Sequence, residues 1–390
     1  MDETCLSVNL GSASKKYGLF RGEQQLIAAH FEKMPQGYAL SLQRGEQILL
    51  KEKMLTEAAY HDASATLKGE LSTCGTSLEG LAVIGVRVVA PGSNFQAHGR
   101  ITLAYEERLT RIAAEAPLHL NPLLEELTNL RKHYPDTPIM GISDSAFHRT
   151  MPIVARLYGI PRQLASENDL YRFGYHGLSL ASVVRQFANM PERVVVLHLG
   201  SGASVTAIRD RKSIETSMGF TPLEGLLMST RCGTIDAGLV LALVKKLGVH
   251  ALEELLEKKS GLLGVSSASG DIRELLKRET AGDVAAHEAL ELFIYQIRKQ
   301  IGAAVAVLGG VDTMVFTGTI GERSSVIRKR VVQCLGFLKV ALDDAKNEAS
   351  IEHGGEIHVP DSATAVLVIP AKEDEEIARE SFALLTEMGR

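Results

Sequence analysis

The sequence lacks the signatures of several common classes of protein. Its four cysteines (Cys5, Cys74, Cys232 and Cys334) are far apart and form no Cys-x-x-Cys pair. That spacing argues against a disulfide framework or a zinc site and favours a reducing, cytoplasmic compartment. No segment approaches the roughly 20 apolar residues that span a bilayer, and the acidic residues after Met1 lead into no long apolar run. We therefore expect neither a signal peptide nor a membrane protein.

The fingerprints of several familiar enzyme classes are missing as well. The chain contains neither Gly-x-x-x-x-Gly-Lys-Ser/Thr nor Gly-x-Gly-x-x-Gly, so it has no P-loop and no dinucleotide fingerprint. A Gly-x-Ser-x-Gly elbow followed by acid and histidine is not evident either, which excludes a Ser-His-Asp hydrolase. The formal net charge is only −5 over 390 residues. We expect no attraction to nucleic acid, and an anionic substrate must be held by a local basic cluster.

What the sequence does contain is an alternation of strand-like and helix-like segments, which indicates an α/β protein long enough for two domains. The segment Asn9-Leu10-Gly11-Ser12-Ala13-Ser14 aligns with His198-Leu199-Gly200-Ser201-Gly202-Ala203-Ser204. Each segment follows an apolar strand and leads into another. One hairpin used twice predicts a duplicated domain with a cleft between the halves. Coincidence is the alternative, because Gly/Ser turns are common.

The second half is predicted to be rich in helices. Apolar residues recur at three- and four-residue steps up to Leu308, which indicates a helix with a buried face. A further helix is predicted over 325–347, after a turn at 317–321, and a charged terminal helix follows Pro370.

Small-residue turns after strands are the first candidate binding features. Such turns can aim several backbone N–H groups at one anion, and Lys16 follows the first of them. Arg87, inside an apolar run, and Arg231, after a turn-rich segment, could each grip a carboxylate or phosphate with two parallel hydrogen bonds. A structural salt bridge is the alternative for both arginines. The turns are residues 11–14, 200–204 and 317–321.

Polar candidates also lie beside glycine, proline or strand ends. Asp144 and Glu373 fall just past apolar strands, where cleft residues of α/β sheets lie. The histidines show no His-x-x-x-His spacing, so Mg²⁺ on carboxylate oxygens is a better expectation than a histidine metal site. The histidines with such neighbours are His119, His148, His176 and His198.

Seven segments of the sequence, taken together, resemble the motifs of the acetokinase family of short-chain acyl kinases. The most specific is Thr216-Ser217-Met218-Gly219-Phe220-Thr221-Pro222-Leu223-Glu224-Gly225. The resemblance continues in the family's order and spans nearly the whole chain. The other similar segments are residues 8–16, 143–148, 173–177, 198–204, 316–322 and 368–370.

The resemblance implies a duplicated actin/hexokinase-like (ribonuclease H-like) α/β fold with an interdomain nucleotide cleft. The implied domains are 1–146 with the terminal helix 374–390, and 147–373. The implied activity is reversible, ATP-dependent phosphorylation of acetate with Mg²⁺, by a homodimer that acts on a small molecule. A propionate or other short-chain acyl kinase, a pyrophosphate-dependent enzyme and a catalytically weak nucleotide-binding relative remain the alternatives.

By motif position, the resemblance also implies roles for individual residues. The residues implied in catalysis are Arg87, His119, Asp144, His176 and Arg231. Those implied around the acyl group are Arg87, Val89, Leu118, Tyr175 and Pro222. Those implied to hold Mg²⁺ are Asn9, Asp144 and Glu373. Those implied to bind the nucleotide and its phosphates are Asn9, Ser12, Ser14, Lys16, His198, Gly200, Ser201, Gly202, Asp271, Ile272, Arg273, Gly318, Thr319, Ile320, Gly321 and Arg323.

The chemistry agrees with these roles, because a carboxylate is already ionised at neutral pH and needs no general base. The reaction instead needs in-line positioning and neutralisation of the phosphoryl group. Several positions depart from the family pattern and leave nucleotide preference and acyl-chain choice open. Familiar members usually have histidine at the positions of Ala90 and Leu180, and phenylalanine at that of Tyr175. They usually have glycine at the position of Thr319, asparagine at Arg323, an acidic residue at Thr234 and an amide residue at Lys372. Leu120 resembles an insertion after His119.

Overall fold

The computed structural model describes residues 3–11, 14–34 and 36–388 of the chain. Its contacts divide these residues into two compact units. Unit 1 comprises Met1–Ala146 with Lys372–Arg390, and unit 2 comprises Phe147–Ala371. The expectations for Ser12 and for the side chain of Leu118 lie outside the described residues.

Each unit is built on one mixed sheet. The strands of unit 1 are β1 (Thr4–Leu10), β2 (Ser14–Arg21), β3 (Gln24–Met34), β4 (Gly37–Arg44), β5 (Gln47–Leu55), β6 (Val83–Val88), β7 (Gly99–Arg100) and β8 (Ile139–Ser143). Their order across the sheet is β5-β4-β3-β2-β1-β6-β8-β7. The strands of unit 2 are β9 (Arg193–Leu199), β10 (Ala203–Arg209), β11 (Lys212–Thr216), β12 (Thr313–Thr317), β13 (Gly355–Glu356) and β14 (Ala365–Val368). Their order is β11-β10-β9-β12-β14-β13.

The same strand arrangement occurs in both sheets. In unit 1, β1 pairs antiparallel with β2 and parallel with β6, which in turn pairs parallel with β8. In unit 2, β9 pairs antiparallel with β10 and parallel with β12, which pairs parallel with β14. In both hairpins the glycine that follows the first strand donates its N–H to a nearby carbonyl, Gly11 to that of Ser14 at 2.8 Å and Gly200 to that of Gly202 at 2.9 Å. The duplicated α/β domain predicted from the paired hairpins is confirmed.

Helices flank the sheets of both units. Those of unit 1 are α1 (Glu57–His61), α2 (Ala63–Thr73), α3 (Leu103–Arg111) and α4 (Pro117–His133). Those of unit 2 are α5 (Ile153–Arg156), α6 (Arg162–Glu167), α7 (Gly177–Gln186), α8 (Ala237–Leu247), α9 (Val249–Lys258), α10 (Gly261–Ser266), α11 (Ile272–Thr280), α12 (Val284–Leu308), α13 (Gly318–Arg323), α14 (Ser325–Gln333) and α15 (Asp344–His353). The terminal helix α16 (Glu373–Met388) belongs to unit 1. Within the described ranges, no helix combines the length and the apolar character needed to cross a membrane.

Two predictions about the second half are wrong. The helix predicted over 325–347 is broken after Gln333, where Gly336 lies in a 3-10 turn and Lys339 adopts a positive φ of 51°. Leu342 then forms an antiparallel β-bridge with His358, so the backbone at Leu342 is extended and does not continue the helix. The turn predicted at 317–321 is the first part of helix α13, which begins at Gly318.

Glycine and apolar side chains position the terminal helix against the first sheet. Gly85 lies in the middle of β6, and a Cβ there would collide with Ser381 and lie 2.8 Å from Ile377, both on α16. The absence of a side chain at Gly85 therefore lets α16 pack directly on β6, two residues before Arg87. The core on the other face of this sheet includes Val8, Val86 and Leu127.

Candidate active site

The carboxyl ends of three parallel strands bring polar side chains together in unit 1. Asn9 lies near the end of β1, Arg87 near the end of β6, and Asp144 directly after β8. The register places Val88 beside Ser143, and the Asp144 N–H donates to the Val88 carbonyl at 2.9 Å. Side chains beyond the carboxyl ends of adjacent parallel strands share one edge of the sheet, which is where ligands bind in such folds.

Arg87 is the centre of this group. Its guanidinium donates to Asp144 Oδ2 at 2.9 Å, to Asn9 Oδ1 at 3.1 Å and to Glu373 Oε2 at 3.5 Å. The Arg87 side chain is 13% exposed and that of Asp144 is fully buried. Burial alone would lower the pKa of Arg87, but the carboxylates of Asp144 and Glu373 outweigh it and raise that pKa above its ordinary value. Arg87 therefore stays charged at the strand ends.

Asn9 connects this group to the start of α16. Its Nδ2 donates to Glu373 Oε2 at 2.9 Å and to Asp374 Oδ1 at 3.1 Å. Burial raises the pKa of Asp374, although the charge of Lys16 opposes the shift. Lys16 and Asp374 also line a groove of about 410 Å³ along β2 to β5. The sequence did not predict Asp374, and its only signal was its position beside Glu373.

The oxygen atoms of this group fit a hard divalent cation. Asn9, Asp144 and Glu373 offer amide and carboxylate oxygens, which are the donors that Mg²⁺ prefers. Among the described residues, no cluster of three or more acidic, histidine or cysteine side chains is arranged to hold a metal by itself. Protein sites commonly bind Mg²⁺ through one or two carboxylates and leave the remaining positions to phosphate oxygens and water. The donor set is therefore suited to a metal that arrives with a polyphosphate.

The equivalent hairpin of unit 2 is surrounded by histidines. The rings of His176 and His198 stack with centroids 4.0 Å apart. Each imidazole is hydrogen-bonded to a serine hydroxyl through its Nδ1. His176 Nδ1 lies 2.9 Å from Ser204 Oγ, and His198 Nδ1 lies 2.7 Å from Ser179 Oγ. A Cβ on Gly202 would lie 3.1 Å from His176 Nε2. The outer nitrogen of His176 therefore lies beside the hairpin backbone.

His176 owes its position to an unusual backbone conformation. It has a φ of 61° and stands as the N-cap of α7. Gly174, two residues earlier, has a φ of 76°, and a Cβ there would lie 2.7 Å from the buried ring of His148. His148 itself lies 2.9 Å from both the Ser213 hydroxyl and the Tyr175 carbonyl oxygen. His148 thus supports the segment that carries His176.

Arg231 lies on the same side of the hairpin as His176. It is buried, and its Nη1 would lie 3.8 Å from a Cβ on Gly202. The same nitrogen donates to the Pro222 carbonyl at 3.0 Å. Arg231 thus reaches the hairpin while holding the most specific motif of the sequence in place.

The hydroxyl of Tyr175 has a defined partner. Tyr175 is 1% exposed, and its hydroxyl donates to the Phe220 carbonyl at 2.6 Å. The hydroxyl, which a phenylalanine would lack, therefore anchors the backbone of the 219–222 segment at Phe220. Pro222, two residues after Phe220, is buried as well.

The predicted adenosine segments lie in unit 2. Gly318 begins α13 with a φ of 76°, and a Cβ there would lie 2.7 Å from the Leu199 carbonyl oxygen of β9. Thr319 and Arg323 are exposed on this helix. Asp271 caps α11 by accepting the Arg273 N–H at 2.8 Å, and the Arg273 side chain is 91% exposed. The exposed side chains at both segments leave room for a ligand above them.

The remaining predicted positions are spread between the units. His119 lies in the first turn of α4 and is half-buried, whereas Val89 is buried after β6. Ala90 and Leu180, where histidine is usual, are fully enclosed core positions. That Arg87 and Arg231 face one cleft stays a prediction, and so do the assigned roles.

Comparisons with known proteins agree with one another. The profile of the acetokinase family matches residues 4–379. An acetate kinase from Carboxydothermus hydrogenoformans is 38% identical over 97% of this chain and 98% of its own. The crystal structure of a propionate kinase from Francisella tularensis superposes with a TM-score of 0.88 at 32% identity, covering 98% of this chain and all (100%) of that one. That of Porphyromonas gingivalis acetate kinase superposes with a TM-score of 0.84 at 30% identity, with the same coverage.

Proposed function

The chain belongs to the acetokinase family, and from that premise we propose that it transfers the γ-phosphoryl group of ATP reversibly to the carboxylate of acetate. The observation that carries the proposal is the hairpin of unit 2, whose glycine backbone is surrounded by His176, His198 and Arg231. Small residues let a phosphoryl group approach the backbone of the turn, and imidazole and guanidinium groups can stabilise its negative charge during transfer.

The residues of unit 1 suit the other partners of the reaction. Arg87 carries a permanent charge held by Asp144 and Glu373, and a guanidinium can bind a carboxylate or phosphoryl oxygen in a fixed orientation. Asn9, Asp144 and Glu373 would hold the Mg²⁺ of the nucleotide. When bound, that ion neutralises charge on the phosphate oxygens. Val89 and Pro222 are buried apolar side chains, and the hydroxyl of buried Tyr175 already has a hydrogen-bond acceptor. All three are therefore suited to contact with a methyl group.

Transfer then requires no proton to be removed from the acceptor. The acetate carboxylate attacks the γ-phosphorus, the bond to the β–γ bridging oxygen breaks, and ADP leaves with the electron pair. Arg231 and His176 neutralise the equatorial oxygens while the group moves. The serine behind each imidazole fixes the ring, so that its outer nitrogen keeps one orientation.

The proposal extends to a cytoplasmic homodimer. Helix α8 is almost entirely apolar, yet none of its residues is buried in the protomer. Leu239 and Leu241 on this helix are 49% and 63% exposed, and Ile153 and Val154 on α5 are exposed as well. Apolar surface of this kind marks association with another protein surface, and a second copy of the chain is the proposed partner.

Steady-state kinetics test the activity directly. With ATP and Mg²⁺, we expect formation of acetyl phosphate, trapped as the hydroxamate, with a higher kcat/KM for acetate than for propionate or butyrate. One methylene changes discrimination by only about 10- to 200-fold, so all three acids should be measured. ATP should be replaced in turn by GTP and pyrophosphate, because exposed Thr319 and Arg323 leave the donor open. ATP binding without any acyl phosphate would contradict the proposal, and preference for propionate would redirect it.

A glycine substitution tests the hairpin of unit 2. In Gly202→Ala the new Cβ would lie 3.1 Å from His176 Nε2, which is closer than ordinary van der Waals contact. We expect kcat/KM for acetate to fall by about tenfold, because small misplacements of catalytic groups are costly. The melting temperature should change little, since Gly202 lies outside the left-handed region.

Gly302→Ala is the matched control for this substitution. Gly302 lies in α12 with open space around it, and alanine is the better helix former. The control should keep full activity and gain slightly in stability. Equal activities for the two variants would argue against a role for the hairpin.

A further inference from the structure

One carboxylate in unit 2 joins two segments that are far apart in the sequence. Glu322 Oε1 accepts the backbone N–H of Gly318 at 2.8 Å and that of Ala371 at 2.9 Å. Gly318 is the first residue of α13, and Ala371 is the last residue of unit 2. A single oxygen atom therefore fixes both backbone positions, although Ala371 is 49 positions after Glu322 in the sequence.

The helix that carries Glu322 is held at its other end by a buried arginine. Arg328 is fully buried, and its Nη1 donates to the carbonyls of Gly321 and Glu322 at 2.8 and 2.7 Å. Its other nitrogens donate to Asn347 and Ser350 on α15. Burial lowers the pKa of Arg328 to about 10, so it is still cationic at neutral pH. Arg328 therefore holds the carboxyl end of α13 in place. Because the Glu322 backbone is held there, a displacement of Ala371 cannot be matched by a displacement of Glu322 alone.

Each of the two joined segments leads to a part of the proposed site. The N-terminus of α13 lies beside the phosphate hairpin, since a Cβ on Gly200 would lie 4.0 Å from the Thr319 nitrogen. Ala371 is followed after one residue by Glu373, whose carboxylate contacts Asn9 and Arg87. The nucleotide segment and the metal-side carboxylate are therefore connected through Glu322 and two residues of chain.

We propose that Glu322 is a positioning residue that couples nucleotide binding at α13 to the placement of Glu373. The inference rests on the proposed function, because it assumes that a nucleotide binds at Gly318–Gly321. A nucleotide that orders the start of α13 also orders Ala371 through the shared oxygen, and Glu373 follows. Loss of the carboxylate oxygen releases both segments together.

Kinetics of Glu322 variants test the coupling. In Glu322→Ala we expect the KM for ATP and the Mg²⁺ concentration for half-maximal activity to rise together, each by about tenfold, since each loses one hydrogen-bonded anchor. The KM for acetate should stay within about twofold. Glu322→Gln retains an Oε1 acceptor of the same reach, so it should recover most of both constants. A purely structural role would instead lower kcat and the melting temperature and leave both constants unchanged, which would overturn the proposal.

Lys329→Ala is the matched control. Lys329 forms an exposed ion pair with Asp344 at 2.7 Å between α14 and α15, close in sequence to Glu322 and outside the proposed site. The control should leave all kinetic constants unchanged. A rise in both constants in this variant would assign the effect to general loosening of α13–α15 and overturn the proposal.

Hydrogen exchange with ADP separates the coupling from the proposed function. In the wild-type protein, ADP should slow exchange in peptides that contain Gly318 and in peptides that contain Ala371. Protection by ADP at the two segments is then compared in Glu322→Ala and Glu322→Gln, and the wild-type result decides by itself if the alanine variant does not fold. Alanine should lose protection at Ala371, whereas glutamine should retain it. Protection at Gly318 alone in the wild type would overturn the coupling and leave the kinase function intact. Protection at neither segment would overturn both.

Discussion

Replacing Arg87 by alanine should lower kcat/KM for acetate by on the order of 10³-fold, the magnitude expected when a positioned charge-stabilising donor is removed. Arg87 contacts Asn9, Asp144 and Glu373 at once. Its loss removes the cation that would orient an anionic substrate, and it also frees the carboxylates that would hold Mg²⁺. Steady-state kinetics with acetate and ATP measure both effects.

The same substitution should cost stability. Asp144 is fully buried, and removing one partner of a buried ion pair costs about 3 kcal/mol of unfolding free energy, because the other charge is left uncompensated. Arg87→Lys separates the effects, since a lysine retains the positive charge but not the planar, bidentate donor set. We expect Arg87→Lys to recover much of the stability while remaining deficient in catalysis.

Arg44→Ala is the matched control in unit 1. Arg44 is exposed and donates to Thr76 Oγ1 at 2.6 Å on the surface, so its loss should change neither activity nor stability by much. If Arg87→Ala retained kcat/KM within a few-fold of the wild type, Arg87 would be a structural salt bridge only.

Local sequence patterns indicated two of the residues at strand ends. Arg87 and Asp144 each lie at the carboxyl end of an apolar run, whereas Asn9 was implied only by the family resemblance; three parallel strands bring all three to one edge of the sheet. The duplicated hairpin was visible for the same reason, because strand, turn and strand are consecutive in sequence. Features formed by consecutive residues can be inferred from a single chain.

Strand alternation explains why two neighbouring lysines of β2 have different surroundings. Lys15 and Lys16 are neighbours on β2, but successive side chains of a strand point to opposite faces. Lys15 is buried in an ion pair with Glu126 at 2.9 Å, whereas Lys16 is exposed and its charge acts on Asp374. Of the two lysines, Lys16 therefore lines the groove that also contains Asp374.

Long-range contacts explain what the sequence did not reveal. Asp374 joins the site through Asn9, 365 residues away in the chain, and nothing near either residue signals the pairing. Glu322 accepts from the backbone N–H groups of Gly318 and Ala371, and Arg328 donates to backbone carbonyls as well as to side chains; backbone groups carry no residue-specific pattern. The helix predicted over 325–347 was wrong because apolar residues continue past Gly336 with helical spacing, while pairing of Leu342 with His358 diverts the backbone.

Replacing Arg231 by alanine should lower kcat by on the order of 10³-fold, with a smaller change in the KM for ATP, because its charge is needed most while the phosphoryl group moves. Arg231 is 8% exposed and reaches the hairpin beside His176. It also holds the Pro222 carbonyl at 3.0 Å, so a structural role must be distinguished from a chemical one. Loosening of the 219–222 segment alone would raise the KM for acetate and spare kcat.

Arg211→Ala provides the comparison within unit 2. Arg211 also donates to a backbone carbonyl, that of Val184 at 2.7 Å, but it is exposed. The control should therefore retain kcat and both Michaelis constants. Arg231→Lys should remain well below the wild type, because an ammonium cannot hold Pro222 and a phosphoryl oxygen in the fixed geometry of a guanidinium. A normal kcat in Arg231→Ala would place the charge that stabilises phosphoryl transfer elsewhere and remove the main chemical role assigned to unit 2.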